Sequence, residues 1–123
     1  MKYGITDNWK VINDESQVEE IIQESYSNPV VLFKNSDRCG VSYGVLSRFK
    51  EEMAEANNGG VSFYILDVVS HRDIASLFAQ KLNVRHESPQ ALVIERGMCG
   101  YHKSHWNISF TELMSYIANQ RMN

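Results

Sequence analysis

The stretch that decides the fold is residues 30–49, VVLFKNSDRCGVSYGVLSRF. Its first four residues are all apolar, as in a buried strand, and the polar residues 34–38 that follow predict a turn. After Cys39, apolar residues recur at the spacing of one helix face. That face consists of Val45, Leu46, Phe49 and Met53. The sequence therefore predicts that Cys39 lies where a strand passes into the first turn of a helix.

The position of Cys39 favours ionisation of its thiol. A helix N-terminus presents unpaired N–H groups and about half a positive charge, and both stabilise a thiolate. Arg38 precedes the sulfur and Lys34 is a second cation nearby; we interpret both as solvated charges with a modest effect on the thiol pKa. Because a thiolate is the nucleophile in disulfide exchange, we expect Cys39 to attack disulfides. A buried, unreactive cysteine is the alternative interpretation.

The composition predicts one domain over residues 1–123. The chain is 43% hydrophobic and 22% charged, which is ordinary for a soluble globular protein of this length. Its formal net charge of −3 argues against a broad nucleic-acid-binding surface. No apolar run approaches membrane-spanning length, and the N-terminal segment lacks the apolar stretch of a signal peptide. We therefore expect a cytoplasmic protein without a membrane partner.

The two cysteines, Cys39 and Cys99, are too few for a disulfide framework. We interpret Cys99 as a bystander, because a disulfide needs Cα atoms within about 7 Å and Cys99 is far from Cys39 in sequence. A hydrolase pairing Cys39 with His86 or His105 would need an oxyanion hole, which no motif supplies. No two ligand pairs have zinc spacing, so no mononuclear metal site is predicted.

Apolar spacing predicts alternating strands and helices along the chain. Strands are predicted at residues 9–12, 30–33, 61–69, 89–95 and 99–105, and helices at 14–27, 39–56, 70–82 and from 109 onward. Three helix starts carry capping boxes, formed by Asp14 with Gln17, Ser70 with Asp73, and Ser109 with Glu112. Strands joined through helices imply parallel neighbours, and the final hairpin adds an antiparallel edge. The fold class is α/β, with a mixed central sheet of about five strands flanked by four helices.

This element order, with Cys39 at a strand-to-helix turn and Ser88-Pro89 before the penultimate strand, resembles the thioredoxin superfamily. The resemblance implies a thioredoxin-like fold in which the Ser88-Pro89 bond is cis and packs beside Cys39. It also implies that the main chain of Ser88 binds an incoming peptide or thiol ligand like an added strand. By the same alignment, His86 and Glu87 lie at the rim of this substrate groove.

The motif Cys39-Gly40-Val41-Ser42 has serine where dithiol members of the superfamily have a second cysteine. A dithiol enzyme resolves its mixed disulfide internally. Ser42 can only donate a hydrogen bond to the sulfur, so a second thiol molecule must complete the reaction. The motif therefore predicts monothiol chemistry, with Ser42, Arg38 and the helix start tuning the Cys39 thiol.

A narrower resemblance covers nearly the whole chain. The segments FKNSDRCGVS (33–42), NVRHESPQALVIERG (83–97) and HKSHWNIS (102–109) occur in the order typical of the monothiol bacilliredoxins. This resemblance implies that Cys39 attacks a protein–bacillithiol mixed disulfide, frees the protein thiol and retains the bacillithiol. The implied partners are S-thiolated cytosolic proteins, bacillithiol or a similar small thiol as co-substrate, and a second thiol or dithiol reductase that regenerates Cys39. No tightly bound cofactor is implied.

Two other functions stay open at this point. Gly40 and Asn35 replace the proline and histidine usual in bacilliredoxins, and the C-G-V-S string is close to the C-G-F-S of monothiol glutaredoxins, which bind glutathione and [2Fe–2S] clusters. Those proteins have a glycine pair before the last helix, where this chain has the bulky His105 and Trp106, which we interpret as a wall of the groove or a brace for that helix. The third interpretation is a redox-inert interaction module with the same fold.

Overall fold

A computed structural model of the protein describes residues 9–56 and 59–121. The N-terminal residues 1–8, on which the expectation about a signal peptide partly depends, lie outside the described part. The elements are β1 (Trp9–Val11), α1 (Ser16–Glu24), β2 (Val30–Asn35), α2 (Gly40–Ala54), β3 (Ser62–Asp67), α3 (Arg72–Leu82), β4 (Gln90–Glu95), β5 (Met98–Ser104), a short 3₁₀ helix (His105–Asn107) and α4 (Phe110–Arg121). The predicted alternation of strands and helices is confirmed.

The five strands form one mixed sheet in the order β1-β3-β2-β4-β5. Strands β1, β3 and β2 are parallel, β4 runs antiparallel to β2, and β5 runs antiparallel to β4. The predicted parallel neighbours and antiparallel edge are therefore confirmed. Because β2 and β3 are parallel neighbours, their carboxyl ends lie side by side at one end of the strands. The chain leaves β2 for α2 and β3 for α3 at that end.

Each face of the sheet has its own hydrophobic core, as the period of two in a strand requires. On one face, Val31 and Phe33 of β2 pack with α2 and α4. On the other face, Val30 and Leu32 pack with α1 and α3. Edge-to-face contacts join Phe33 to Phe49 with ring centroids 5.3 Å apart. These contacts hold α2 against the sheet and fix its first turn above the end of β2.

Two of the three predicted capping boxes are present in part, each with one of its two reciprocal hydrogen bonds. Gln17 accepts the main-chain N–H of Asp14 on its Oε1 at 2.9 Å. The hydroxyl of Ser109 accepts the main-chain N–H of Glu112 at 3.2 Å. The Ser109 bond satisfies an N–H group that the start of α4 would otherwise leave unpaired, whereas Asp14 lies two residues before the start of α1.

The capping box predicted for Ser70 and Asp73 is wrong. The Ser70 hydroxyl donates instead to Oδ2 of Asp67 at 2.9 Å, and α3 begins two residues later than predicted, at Arg72. Asp67 ends β3 and also accepts the main-chain N–H of Val69 at 3.1 Å. The Asp67 carboxylate therefore holds this turn together. The apolar pattern of the helix that follows gave no indication of this role.

The turn predicted at residues 34–38 is also partly wrong, because Lys34 and Asn35 belong to β2. Lys34 pairs with Leu66 of β3 and with Gln90 of β4, so strands on both sides complete its main-chain hydrogen bonding. The turn before Cys39 is correspondingly shorter, and Lys34 enters the protein interior.

Candidate active site

Cys39 is the residue immediately before α2, with an extended backbone at φ −113° and ψ 123°. Its main-chain carbonyl accepts the N–H of Tyr43 at 3.2 Å, and its own N–H donates to the carbonyl of Ser36 at 3.2 Å. The residue is partly exposed, so solvent and a ligand can approach it. The predicted location of Cys39 at a strand-to-helix junction is confirmed.

The first turn of α2 lowers the pKa of the Cys39 thiol. The main-chain N–H of Ser42 has the largest effect and that of Val41 the next, while partial burial opposes them and the Ser42 side chain adds a further hydrogen bond. Arg38 is exposed and does not contribute to this shift. The helix N-terminus, rather than neighbouring cations, is therefore what favours the thiolate.

Ser42 and Gly40 have different surroundings in this turn. Ser42 is fully buried, and its hydroxyl accepts the main-chain N–H of Ser36 at 3.2 Å, which ties the turn before Cys39 to α2. A Cβ added at Gly40 would meet no atom within 4 Å, apart from its two neighbours in the chain. Nothing in this arrangement requires glycine at position 40.

The loop before β4 forms the opposite side of the site. The Ser88–Pro89 peptide bond is cis, as the resemblance implies. Ser88 and His86 line the same pocket as Cys39, a space of about 510 Å³. Ser88 makes no hydrogen bond within the described part of the chain, and its buried hydroxyl has no partner there.

The same pocket includes residues that the sequence analysis missed. Its lining is completed by side chains from the turn before Cys39, the end of β3 and the first turns of α3, namely Ser36, Val68, Val69, Arg72, Ala75 and Ser76. One signal could have found them. Since β2 and β3 were predicted to be parallel neighbours, the residues following each should meet at the same edge of the sheet.

Lys34 is not the solvated cation that the sequence analysis predicts. It is 1% exposed, and its Nζ donates to Oε1 of Gln90 at 2.7 Å. Burial lowers its pKa to about 8, and Glu87 and Cys99 oppose that shift. Lys34 does not contribute to the pKa shift of Cys39, so its predicted role in stabilising that thiolate is wrong.

The buried Lys34–Gln90 pair supports the loop before β4, which ends in the cis-proline. Gln90 is fully buried, and its Nε2 donates to the carbonyl of Arg85 at 3.0 Å. Its Oε1 also accepts the main-chain N–H of Glu87 at 3.4 Å. One glutamine therefore joins a buried cation to the main chain on either side of His86, in the loop that leads to Ser88.

The lowered pKa of Lys34 predicts a pH dependence of stability. Between pH 8 and 10.5 the unfolded chain binds a proton at Lys34 that the folded protein has released, so stability rises with pH in this window. The free energy of unfolding of the native protein should increase relative to that of Lys34→Met by about 3 kcal/mol from pH 8 to 10.5. Denaturant unfolding of both proteins, each with Cys99→Ser to remove a nearby thiol, measures the difference. A difference independent of pH would contradict this assignment.

His86 lines the pocket beside Cys39, and Glu87 is the next residue of the loop before the cis-proline. The Ser104 hydroxyl donates to Oε1 of Glu87 at 2.6 Å, and this bond is the main reason that the pKa of Glu87 is lowered. Burial and then the charge of Lys34 lower the pKa of His86. His86 is therefore a neutral imidazole near pH 7, able to donate or accept a hydrogen bond.

His105 and Trp106 flank the same loop from the α4 side. The main-chain N–H of His105 donates to the carbonyl of Pro89 at 2.9 Å. Trp106 is 59% exposed, and its ring lies over α2, where a Cβ on Gly44 would be 3.0 Å from its Cη2 atom. The main chain of His105 therefore lies next to the cis-proline, and the Trp106 ring packs against α2, as a brace for the segment before α4 would. The role of the two side chains as a wall of the groove stays a prediction.

Cys99 lies at the opposite end of the sheet from Cys39. It pairs with Ile94, which pairs in turn with Val30 at the start of β2, whereas Cys39 follows the end of that strand. The two ends of β2, Val30 and Asn35, are five residue steps apart, or about 16 Å along the strand. Burial raises the pKa of the Cys99 thiol. A disulfide between the two cysteines is incompatible with this separation.

Within residues 9–56 and 59–121, no group of three or more His, Cys, Asp and Glu side chains is arranged to hold a metal ion. Over the same residues, no helix has the length and apolar character needed to cross a membrane.

Comparison with known families matches residues 10–113 to the family of the monothiol bacilliredoxin BrxC. The chain belongs to the monothiol bacilliredoxin family. The match spans every element from β1 to the start of α4 and includes Cys39, the cis-proline loop and Trp106, so the resemblance stated from the three segments is confirmed.

Solved structures show that the bacilliredoxin has a thioredoxin fold. One, a thioredoxin-fold protein to which an oxidoreductase function is ascribed, is 28% identical, with a TM-score of 0.75 over 88% of this chain and 92% of the other. Fasciola hepatica thioredoxin is 20% identical, with a TM-score of 0.67 over 89% of this chain and 97% of the other. Thioredoxin f from spinach chloroplast is 18% identical, with a TM-score of 0.67 over 96% and 97%. The two thioredoxins show the fold alone, and the family supports a redox role.

Proposed function

We propose that this bacilliredoxin is a monothiol thiol–disulfide oxidoreductase that removes bacillithiol, or a similar small thiol, from protein mixed disulfides in the cytoplasm. The observation that carries the proposal is the isolation of Cys39. Its sulfur is partly exposed beside the cis-proline loop, its pKa is lowered by the first turn of α2, and Cys99 is about 16 Å away along the sheet.

The reaction is two successive disulfide exchanges. The Cys39 thiolate attacks the sulfur of the small thiol in the mixed disulfide, so that bond breaks and a Cys39–small-thiol disulfide forms. The protein sulfur leaves as a thiolate and takes a proton from solvent. A second thiol, from a small molecule or a dithiol reductase, then attacks the small-thiol sulfur of that disulfide, so a new disulfide to the small thiol forms and Cys39 leaves as a thiolate. A dithiol reductase finally closes its own disulfide and releases the small thiol as a free thiol. The number of disulfides is unchanged at each step.

The cis-proline loop supplies the binding contribution of the chain to this reaction. The main-chain groups of Ser88 are unpaired within the described residues, and a peptide lying beside them can form hydrogen bonds like an added strand. His105 and Trp106 border the loop on one side and can limit the approach of the bound protein. His86 belongs to the loop itself and lines the pocket beside Cys39.

The decisive experiment follows the small thiol from one protein to the other. A model protein carrying either a bacillithiol or a glutathione mixed disulfide is incubated with the bacilliredoxin, and both chains are weighed as intact species. We expect bacillithiol to disappear from the model protein and an equal mass to appear on Cys39. Faster transfer of glutathione would favour a glutaredoxin-like specificity. Retention of both adducts on the model protein would contradict the proposal and favour an interaction module.

A further inference from the structure

The pocket beside Cys39 is larger than a sulfur atom requires. It is a space of about 510 Å³ on the α3 side of the active site, and we refer to it as the α3-side pocket. Sites for small molecules commonly measure about 300–1,000 Å³. Val68, Val69 and Ala75 give it an apolar part, while Ser36 and Ser76 contribute hydroxyl groups. The space therefore suits the body of a small molecule whose sulfur is at Cys39.

The charge of the α3-side pocket is opposite to that of the protein. The formal net charge of the chain is −3, yet no carboxylate lines this pocket. Its one permanent cation is Arg72, which is exposed and whose guanidinium forms no ion pair or hydrogen bond within the described residues. Asp67, which ends β3, is buried and accepts hydrogen bonds from its own turn.

We propose that the α3-side pocket binds the carboxylate-bearing body of the small thiol, with the Arg72 guanidinium pairing with the carboxylate. This inference rests on the proposed function and adds the chemical class of its substrate. A guanidinium can form two parallel hydrogen bonds with a carboxylate, which fixes the orientation of the ligand as well as its position.

This orientation selects the sulfur that Cys39 attacks. With the body of the small thiol in the α3-side pocket, the sulfur of that thiol is the one beside Cys39. The new disulfide therefore forms to the small thiol, and the electron pair of the broken bond goes to the protein sulfur, which leaves as a thiolate and is protonated by water. Arg72 is a positioning and specificity residue in this account, because it acts on the charge of the ligand.

The first test varies the charge of a small disulfide. Rates of mixed-disulfide formation on Cys39 are measured by intact mass in a Cys99→Ser background with 3,3′-dithiodipropionate, 2-hydroxyethyl disulfide and cystamine, which are anionic, neutral and cationic. The variants are Arg72→Gln and Arg72→Glu. The control is Arg96→Gln, which removes an equal charge in the turn between β4 and β5, at the far end of the sheet. The neutral disulfide corrects for any change in the pKa of the Cys39 thiol.

We expect the native protein to react faster with the anionic than with the neutral disulfide. Arg72→Gln should lower that ratio about tenfold, Arg72→Glu should reverse the preference toward cystamine, and Arg96→Gln should leave the ratio unchanged. Equal ratios in the native and Arg72 variants would overturn the inference while leaving the proposed function intact. Failure of the native protein to react with all three disulfides would overturn the proposed function itself.

A second test distinguishes binding of the ligand body inside the α3-side pocket from electrostatic attraction to Arg72 alone. Ser76→Phe places a ring in the pocket from an exposed position of α3. We expect Ser76→Phe to slow exchange with the large, anionic glutathione disulfide at least fivefold more than it slows exchange with 2-hydroxyethyl disulfide. An unchanged rate with glutathione disulfide would place the ligand body outside the pocket and overturn the inference.

Discussion

Cys39→Ser is expected to abolish transfer of the small thiol from the model protein, whereas Cys99→Ser is expected to retain most of it. The serine hydroxyl is not ionised near neutral pH and cannot form a disulfide, so no step of the exchange remains available. Cys99 is removed from the reaction by its place at the other end of the sheet and by burial, which raises the pKa of its thiol. Intact mass of both proteins over time measures the transfer.

The pair of variants separates chemistry from folding. Cys39 is partly exposed outside both cores, so its replacement by serine should leave the unfolding midpoint nearly unchanged. Full activity in Cys39→Ser would refute the assignment of the nucleophile. Complete loss of activity in Cys99→Ser, with the protein still folded, would show that the reaction uses an internal second thiol and is not monothiol.

The second large effect is expected from Gln90→Met. Methionine has a similar length but does not accept the hydrogen bond of Lys34 Nζ, which leaves a buried ammonium group without its partner. Such a loss costs about 3 kcal/mol of the free energy of unfolding. The double variant Lys34→Met/Gln90→Met replaces the pair by two apolar side chains and should recover the part of that loss that comes from the unpaired ammonium group. Denaturant unfolding at pH 7 of the native protein, both single variants and the double variant measures the coupling energy.

Activity should not recover together with stability in this cycle. Gln90 also holds the carbonyl of Arg85 and the N–H of Glu87, and methionine can form neither bond. The double variant should therefore be stable and still exchange disulfides more slowly than the native protein, because the loop carrying Ser88 has lost its support. A double variant as unstable as Gln90→Met would contradict the assignment of Lys34 and Gln90 as a coupled pair.

Local pattern was sufficient to predict the elements that carry the nucleophile. The apolar run before Lys34 and the helical spacing from Val45 to Met53 place Cys39 at a strand-to-helix junction without any knowledge of tertiary contacts. The cis bond at Pro89 followed from the resemblance to the thioredoxin superfamily, since spacing alone does not predict an isomer. These features depend on residues close in sequence or on a shared family pattern.

The features that the sequence analysis missed depend on distant partners. Lys34 can be buried because Oε1 of Gln90, 56 positions later, accepts a hydrogen bond from its Nζ. Nothing in the polar stretch around Lys34 indicates such a distant partner. Helix α3 begins later than predicted because the Ser70 hydroxyl donates its hydrogen bond to Asp67 and does not cap the helix. Arg72 meets Cys39 at one pocket only because β2 and β3 end at the same edge of the sheet.

The central claim is that Cys39 is an ionised, accessible thiol at neutral pH. The measurement that tests it most directly is the rate of alkylation of the native protein as a function of pH, with the labelled cysteine identified by peptide mass. We expect labelling at Cys39 before Cys99, with a titration midpoint clearly below the value of about 8.5 for an unperturbed cysteine. A midpoint at or above that value, or faster labelling of Cys99, would contradict the account.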